Sequence, residues 1–178
     1  MRVLLPILLS VFGLAGQVPQ AGEAAVKAAF LYNFTKFIGW PSTAFANEGA
    51  PFTVCIFAGD DFRREVEAMM GGEQVQGRRV AVAAVQNGDD LKGCHLAYFS
   101  REHGDRAVRR LPGVRETPVL TVGEGRRFLD QGGLIAFSFE NDRVRLDISK
   151  RAADRAGLNI SAKLLRVARS VEGGEASP

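Results

Sequence analysis

The sequence predicts a single-domain α/β sandwich with a mostly parallel sheet, helices on both faces and an antiparallel edge hairpin near the C-terminus. Three observations carry this expectation. Runs of β-favouring residues alternate with helical stretches along most of the chain, the order in which parallel strands and their crossovers are laid down. The first run, PFTVCIF (51–57), is nearly continuously apolar or β-branched, as a strand covered on both faces must be. Finally, Leu134–Phe139 and Arg143–Ile148 are separated only by Glu140-Asn141-Asp142, a short turn that pairs them as a hairpin whose second strand is the antiparallel edge.

Each element follows from local chemistry. Glu23–Trp40 carries apolar residues at Val26, Phe30, Phe34, Phe37 and Ile38, one face of a helix that Pro41 ends. After the 51–57 strand and Gly59, Asp60 or Asp61 caps a helix that runs through Met70 to the Gly71-Gly72 stop. Further strands are expected at Arg79–Val85, His95–Phe99, Pro118–Val122 and Leu134–Phe139. Helical stretches lie near Gly104–Leu111 and Gly125–Gln131. A last helix spans about Ser161 to Val171, with Ser161 as N-cap and Leu164, Leu165, Val167 and Ala168 as its apolar stripe. Residues 172–178 read as a disordered tail, which leaves 22–171 as the α/β domain.

Residues 1–21 read as a secretory signal peptide. Arg2 is the positive flank, and Val3 to Leu14 is apolar but shorter than the roughly 20 residues a spanning helix needs. Small residues at Ala15/Gly16 or Ala21 offer cleavage sites. The mature protein is therefore expected to be soluble and exported. Export changes the reading of Cys55 and Cys94, because an isolated pair in an oxidising compartment favours a disulfide. A flavodoxin-like strand order would set the Cys55 strand beside the one that Cys94 introduces, within disulfide reach. The competing reading is a nucleophilic thiol with His95 as base. Neighbouring residues of a strand point to opposite faces, which works against it.

The remaining composition narrows the chemistry. The chain of 178 residues is 46% hydrophobic and carries 23 basic against 20 acidic side chains, interspersed, an excess too small to mark a nucleic-acid face. Two Cys and two His leave no margin for most zinc sites, which need about four such ligands although carboxylates could substitute, and phosphate-loop, dinucleotide and nucleophile-elbow motifs do not occur in the sequence. Gly59-Asp60-Asp61 reads as a turn and cap rather than an acidic metal or phosphoryl site. Asp89-Asp90 reads as a solvated loop, His95 as a satisfied core residue and His103 as part of a charged loop. Ser161 and Lys163 do not share a helical face, and Arg101, Arg106, Arg109, Arg110 and Arg115 read as a solvated helix and its flanks. The expectation is a non-enzymatic protein without cofactor or metal. What stands out is polarity inside apolar patterns. Tyr32, Asn33 and Lys36 interrupt the first helix, and Arg143, Arg145 and Asp147 alternate along one face of the expected edge strand.

The same segments resemble a known family. AAFLYNFTKFIGWP (28–41), the Cys55 strand with GDDF, GCH (93–95), PVLTVGE (118–124), GGLIAFSFENDRVRLDIS (132–149) and AADRAGLNISAKLLRVA (152–168) are together similar to the YfiR family, in the expected order over about 25 to 171. Members are periplasmic repressors of an inner-membrane diguanylate cyclase. The resemblance implies an α/β sandwich, a homodimer, a disulfide matching Cys55–Cys94 and a part in cyclic di-GMP signalling and biofilm regulation. It implies two partners: the periplasmic sensor domain of the cyclase, and an outer-membrane lipoprotein that sequesters the repressor. Asn33, Lys36, Arg143, Arg145 and Asp147 are the candidate contacts for a partner or for dimer geometry. Leu146-Asp147-Ile148-Ser149 stands where the family usually has Phe-Glu-Ile-Asn. The alternative function is a periplasmic small-ligand-binding protein that uses clefts at the carboxyl ends of the strands.

Overall fold

The first helix, α1, covers Gln20–Phe37 in a computed structural model that describes residues 20–85, 91–141 and 143–173. Most of the expected signal peptide, Asp89-Asp90, Asp142 and residues 174–178 lie outside the described residues. Helix α1 buries Ala28, Leu31, Phe34 and Thr35, whereas Val26 is 43% exposed. Of the expected stripe, Phe34 and Ile38 are buried and Phe30 and Phe37 pack against the core, so only Val26 falls outside it, and the helix stops three residues before Trp40. The reason is tertiary. Ile38–Gly39 (β1) pairs antiparallel with Asn159–Ile160 (β9), and the Trp40 indole donates to the His95 carbonyl at 3.0 Å.

The central sheet then builds in chain order. Phe52–Phe57 is β2, Asp60–Met70 is α2, Gln74–Val75 is β3 and Arg78–Ala84 is β4. Leu96–Phe99 (β5), α3 (Gly104–Arg110), β6 (Leu120–Glu124), α4 (Arg126–Asp130) and β7 (Ile135–Glu140) continue the alternation. The hairpin strand β8 is Arg143–Ser149, reached through Asn141 in the left-handed region at φ 50°, which Asn tolerates better than most residues. Helix α2 is capped by Gly59 without a side-chain bond. Asp60 and Asp61 sit in its first turn, where they favour the helix dipole and pair with Arg63 and Arg64.

Strand order is β10-β8-β7-β6-β5-β2-β4-β3, with β4, β2, β5, β6 and β7 mutually parallel. The antiparallel hairpin is present, but β8 is not an edge. The expected terminal helix is only Ala162–Val167 (α6), capped by Ser161, after which Ser170–Glu172 forms β10 and pairs parallel with β8. Glu172, expected to begin a tail, is the last residue of that strand. A further short helix, α5 (Lys150–Arg155), follows β8 directly and is capped by Ser149.

Helices cover both faces. On one, α1, α2, α5 and α6 pack over Val54, Ile56, Tyr98, Val122, Phe137 and Ile148. On the other, α3 and α4 pack over Cys55, Phe57, Ala97, Phe99 and Ala136. Helix α4 is seated by one ring. Phe128 lies between Gly123 and Gly133, where added Cβ atoms would come within 2.3 Å and 2.1 Å of the ring.

Candidate functional site

Cys55 and Cys94 are joined in a disulfide, with Cα atoms 5.8 Å apart and a separation of 39 in sequence. The strand order explains the reach. Strands β2 and β5 are direct neighbours, Val54 pairing with Leu96, so Cys94 enters the sheet beside Cys55. Closing a loop of this length is worth about 4 kcal/mol on the chain-entropy account. His95 faces the other way, stacked on Phe45 and Phe52 at 4.5 and 5.2 Å. The Thr53 amide donates to its Nδ1 at 3.0 Å, so Nε2 carries the proton and donates to the Ala44 carbonyl at 3.1 Å. Burial pushes this imidazole below its ordinary value, since protonation would both charge the core and break the Thr53 bond. It is a satisfied core residue and no base for either sulfur.

The hairpin register separates the other candidate residues. Phe137 lies under α1, its ring 5.9 Å from Phe30 and 6.1 Å from Phe34, and pairs with Leu146. Ala136, Ser138 and Glu140 therefore share the opposite face with their partners Asp147, Arg145 and Arg143. Arg143 and Arg145 are exposed there, Arg145 reaching Glu140 at 3.6 Å. Asp147 is not presented to a partner. It is fully buried, clamped by Arg169 through Nε at 2.9 Å and Nη2 at 2.6 Å, and it accepts the Ser170 hydroxyl at 2.6 Å. Burial pushes this carboxyl up, but the hydrogen bonds of Arg169 and Ser170 outweigh it and hold it below the usual carboxylate range. The strand period read Asp147 correctly as sharing a face with the arginines. It missed Arg169, which returns with β10 to cover it.

Asn33 and Lys36 are exposed on α1, on the other side of the sheet from Arg143 and Arg145. Lys36 lies 4.0 Å over the Tyr32 ring, whose hydroxyl donates to Glu73 at 2.6 Å. Asn33 borders an apolar groove of about 310 Å³ between α1 and α6, where Val167 is 65% exposed. The five candidates thus fall on two surfaces and one buried latch, and do not form a single patch.

A different constellation lies at the carboxyl ends of β2, β5 and β6. From β2 the chain goes first to β4 on one side and later to β5 on the other, and where the order reverses a crevice opens. It encloses about 680 Å³. At its floor the Tyr98 hydroxyl donates to Glu124 Oε1 at 2.5 Å, and Lys27 Nζ donates to the same oxygen at 2.9 Å. The side chains of Lys27 and Glu124 are only 8% and 7% exposed. Burial first, and then the Glu124 charge, push the Tyr98 phenol far above its ordinary value, so it stays a donor. Sequence reading passed over these residues, although Glu124 ends the PVLTVGE strand at the end where such folds place ligands.

The family model described as YfiR/HmsC-like matches residues 24–169, from the first turns of α1 to the arginine that clamps Asp147. No curated protein gives a significant match. Among solved structures the chain is similar to a conserved domain protein from Vibrio cholerae O1 biovar El Tor strain N16961, with a TM-score of 0.55 and 9% identity. The match covers 84% of this chain and 60% of that one, and at this identity it speaks for the fold alone.

Proposed function

Since the chain belongs to the YfiR/HmsC-like family, whose membership points to a periplasmic regulator of cyclic di-GMP signalling, we propose that it represses an inner-membrane diguanylate cyclase by binding the cyclase's periplasmic sensor domain. The observation that carries this reading is the extent of the family match, which takes in the disulfide, the hairpin and the Asp147 latch together. The mechanism is a population shift. The repressor binds the inactive cyclase better than the active one, so removing it releases synthesis. Sequestration by an outer-membrane lipoprotein removes it reversibly, and reduction of Cys55–Cys94 removes it by destabilising the fold.

The two exposed groups of candidate residues suit two contacts. Arg143 and Arg145 offer charge on the open face of the hairpin, and Asn33 and Lys36 offer polar groups beside the α1–α6 groove. Since the sheet lies between them, one surface serves the cyclase while the other is free for the second protomer of a homodimer.

Deletion of the gene tests the reading. Cellular cyclic di-GMP and surface attachment should rise, and an exported wild-type copy should restore both. Unchanged cyclic di-GMP in a strain that expresses the partner cyclase overturns it. Replacing Arg143 and Arg145 together by Gln, which removes the charge without setting like charges against Glu140, should reproduce the deletion with the protein still folded.

A further inference from the structure

We propose that the crevice at the carboxyl ends of β2, β5 and β6 binds a small organic cation, an aliphatic diamine. Its position is where a doubly wound sheet leaves space between diverging crossovers, and its volume of about 680 Å³ falls in the range of small-molecule sites. The charge decides the class of ligand. Glu23, Asp61, Glu65, Glu102 and Glu124 line the crevice against two cations, Lys27 and Arg101. Lys27 is shared between Glu23 at 2.6 Å and Glu124 at 2.9 Å, while Arg101 Nε stands 3.9 Å from Glu124. Arg64 pairs with Asp61, so three cations stand against five carboxylates, and the excess of two leaves a negative field in a concave site, which concentrates cations and repels anions.

The floor adds a surface for the carbon chain. The Phe62 ring packs against Tyr98 with centroids 4.7 Å apart, and both line the crevice. An alkyl stem laid on Phe62 puts one ammonium near its ring face and near Glu65 of the same helix. Glu102 lines the same crevice and offers a carboxylate to the other ammonium. The nine-tenths buried Lys27–Glu124–Tyr98 cluster fixes the geometry beneath, since each of its polar groups is already held. A bound amine would bridge α2 to the β5 end of the sheet.

Calorimetric titration of the mature protein tests this with three probes of equal length: 1,4-diaminobutane, 1,4-butanediol and succinate. The expected result is saturable heat with the diamine alone, weakened by added salt. Glu65→Gln and Glu102→Gln, both on crevice walls and outside the buried cluster, should each weaken diamine binding by about tenfold, the loss of one charge-assisted contact, with the melting temperature of the free protein unchanged. The proposal is overturned if the diamine gives no heat, if the diol or succinate binds as well, or if both variants bind the diamine like wild type. The measurement uses the isolated protein, so its failure leaves the repressor reading standing, and the deletion result does not bear on it.

Discussion

Two seams of the same sheet are closed by different chemistry. Between β2 and β5 the parallel ladder is reinforced by the Cys55–Cys94 bond, with helices packed on both faces. Between β8 and β10 the ladder is three pairs long, and Asp147, Arg169 and Ser170 hold it. The first seam joins segments about 40 residues apart in sequence, where closing the loop costs the most entropy. The second joins segments about 20 residues apart and relies on a carboxylate that stays charged although buried. A covalent tie is indifferent to pH and sensitive to reductant, and an ion pair is the reverse. The fold therefore has two points of release that answer to different solution conditions.

The largest effect should come from the covalent seam. Replacing Cys55 and Cys94 together by Ser should cost about 4 kcal/mol in urea unfolding, and reductant should bring wild type to the same stability. A much smaller cost, with the two treatments differing, would remove the contrast. Next in size is Asp147→Asn, which leaves Arg169 without its carboxylate. Amide exchange should quicken at Arg169, whose amide donates to the Leu146 carbonyl, and at Val171, and remain unchanged at Val54 and Ile56.

Acid sharpens the contrast further. Asp147 is held below the usual carboxylate range in the fold, so its stabilisation is complete above the unfolded value near 4 and is lost as pH falls through the lower folded value. His95 is held down too, so it adds a separate loss as pH falls below about 6.5, shared by wild type and variant. The gap in melting temperature between wild type and Asp147→Asn should therefore be constant from pH 7 to 5 and close below pH 4. The smallest effect is the coupling between the seams. Four strand spacings, roughly 19 Å, separate β2 from β8, so the cysteine and aspartate substitutions should add to within about 0.5 kcal/mol.

The parts of this fold legible in sequence are those whose signal is local. The strands at Phe52, Leu96, Leu120 and Ile135 announce themselves by apolar runs ended by Gly or a polar cluster, and the Asn141 turn marks the hairpin. Strands β1, β9 and β10 have two or three residues each and exist only because a partner strand lies alongside, so composition carries no trace of them. Helix α5 has six residues, too few for a period to appear. The site divides in the same way. Cys55–Cys94 was readable because compartment and strand order both point to it. The Lys27–Glu124 contact joins residues 97 apart, and Asp147 meets Arg169 only after the chain has turned through α5 and α6.

Phe128 and its two glycines have a consequence for how the sheet keeps its alignment. A parallel pair such as β6 and β7, with few side chains to distinguish one pairing from the next, is prone to slip by two residues without turning a face. The ring is pinched between the bare backbone at Gly123, on β6, and that at Gly133, just before β7. A two-residue slip that brought Thr121 of β6, or Gln131 or Ile135 on the β7 side, into that slot would drive the ring out, taking α4 with it. One phenyl group thus serves as a gauge block for the two strands. It penalises each slip that puts a side chain in the slot, and it lies beside the residue that precedes Glu124.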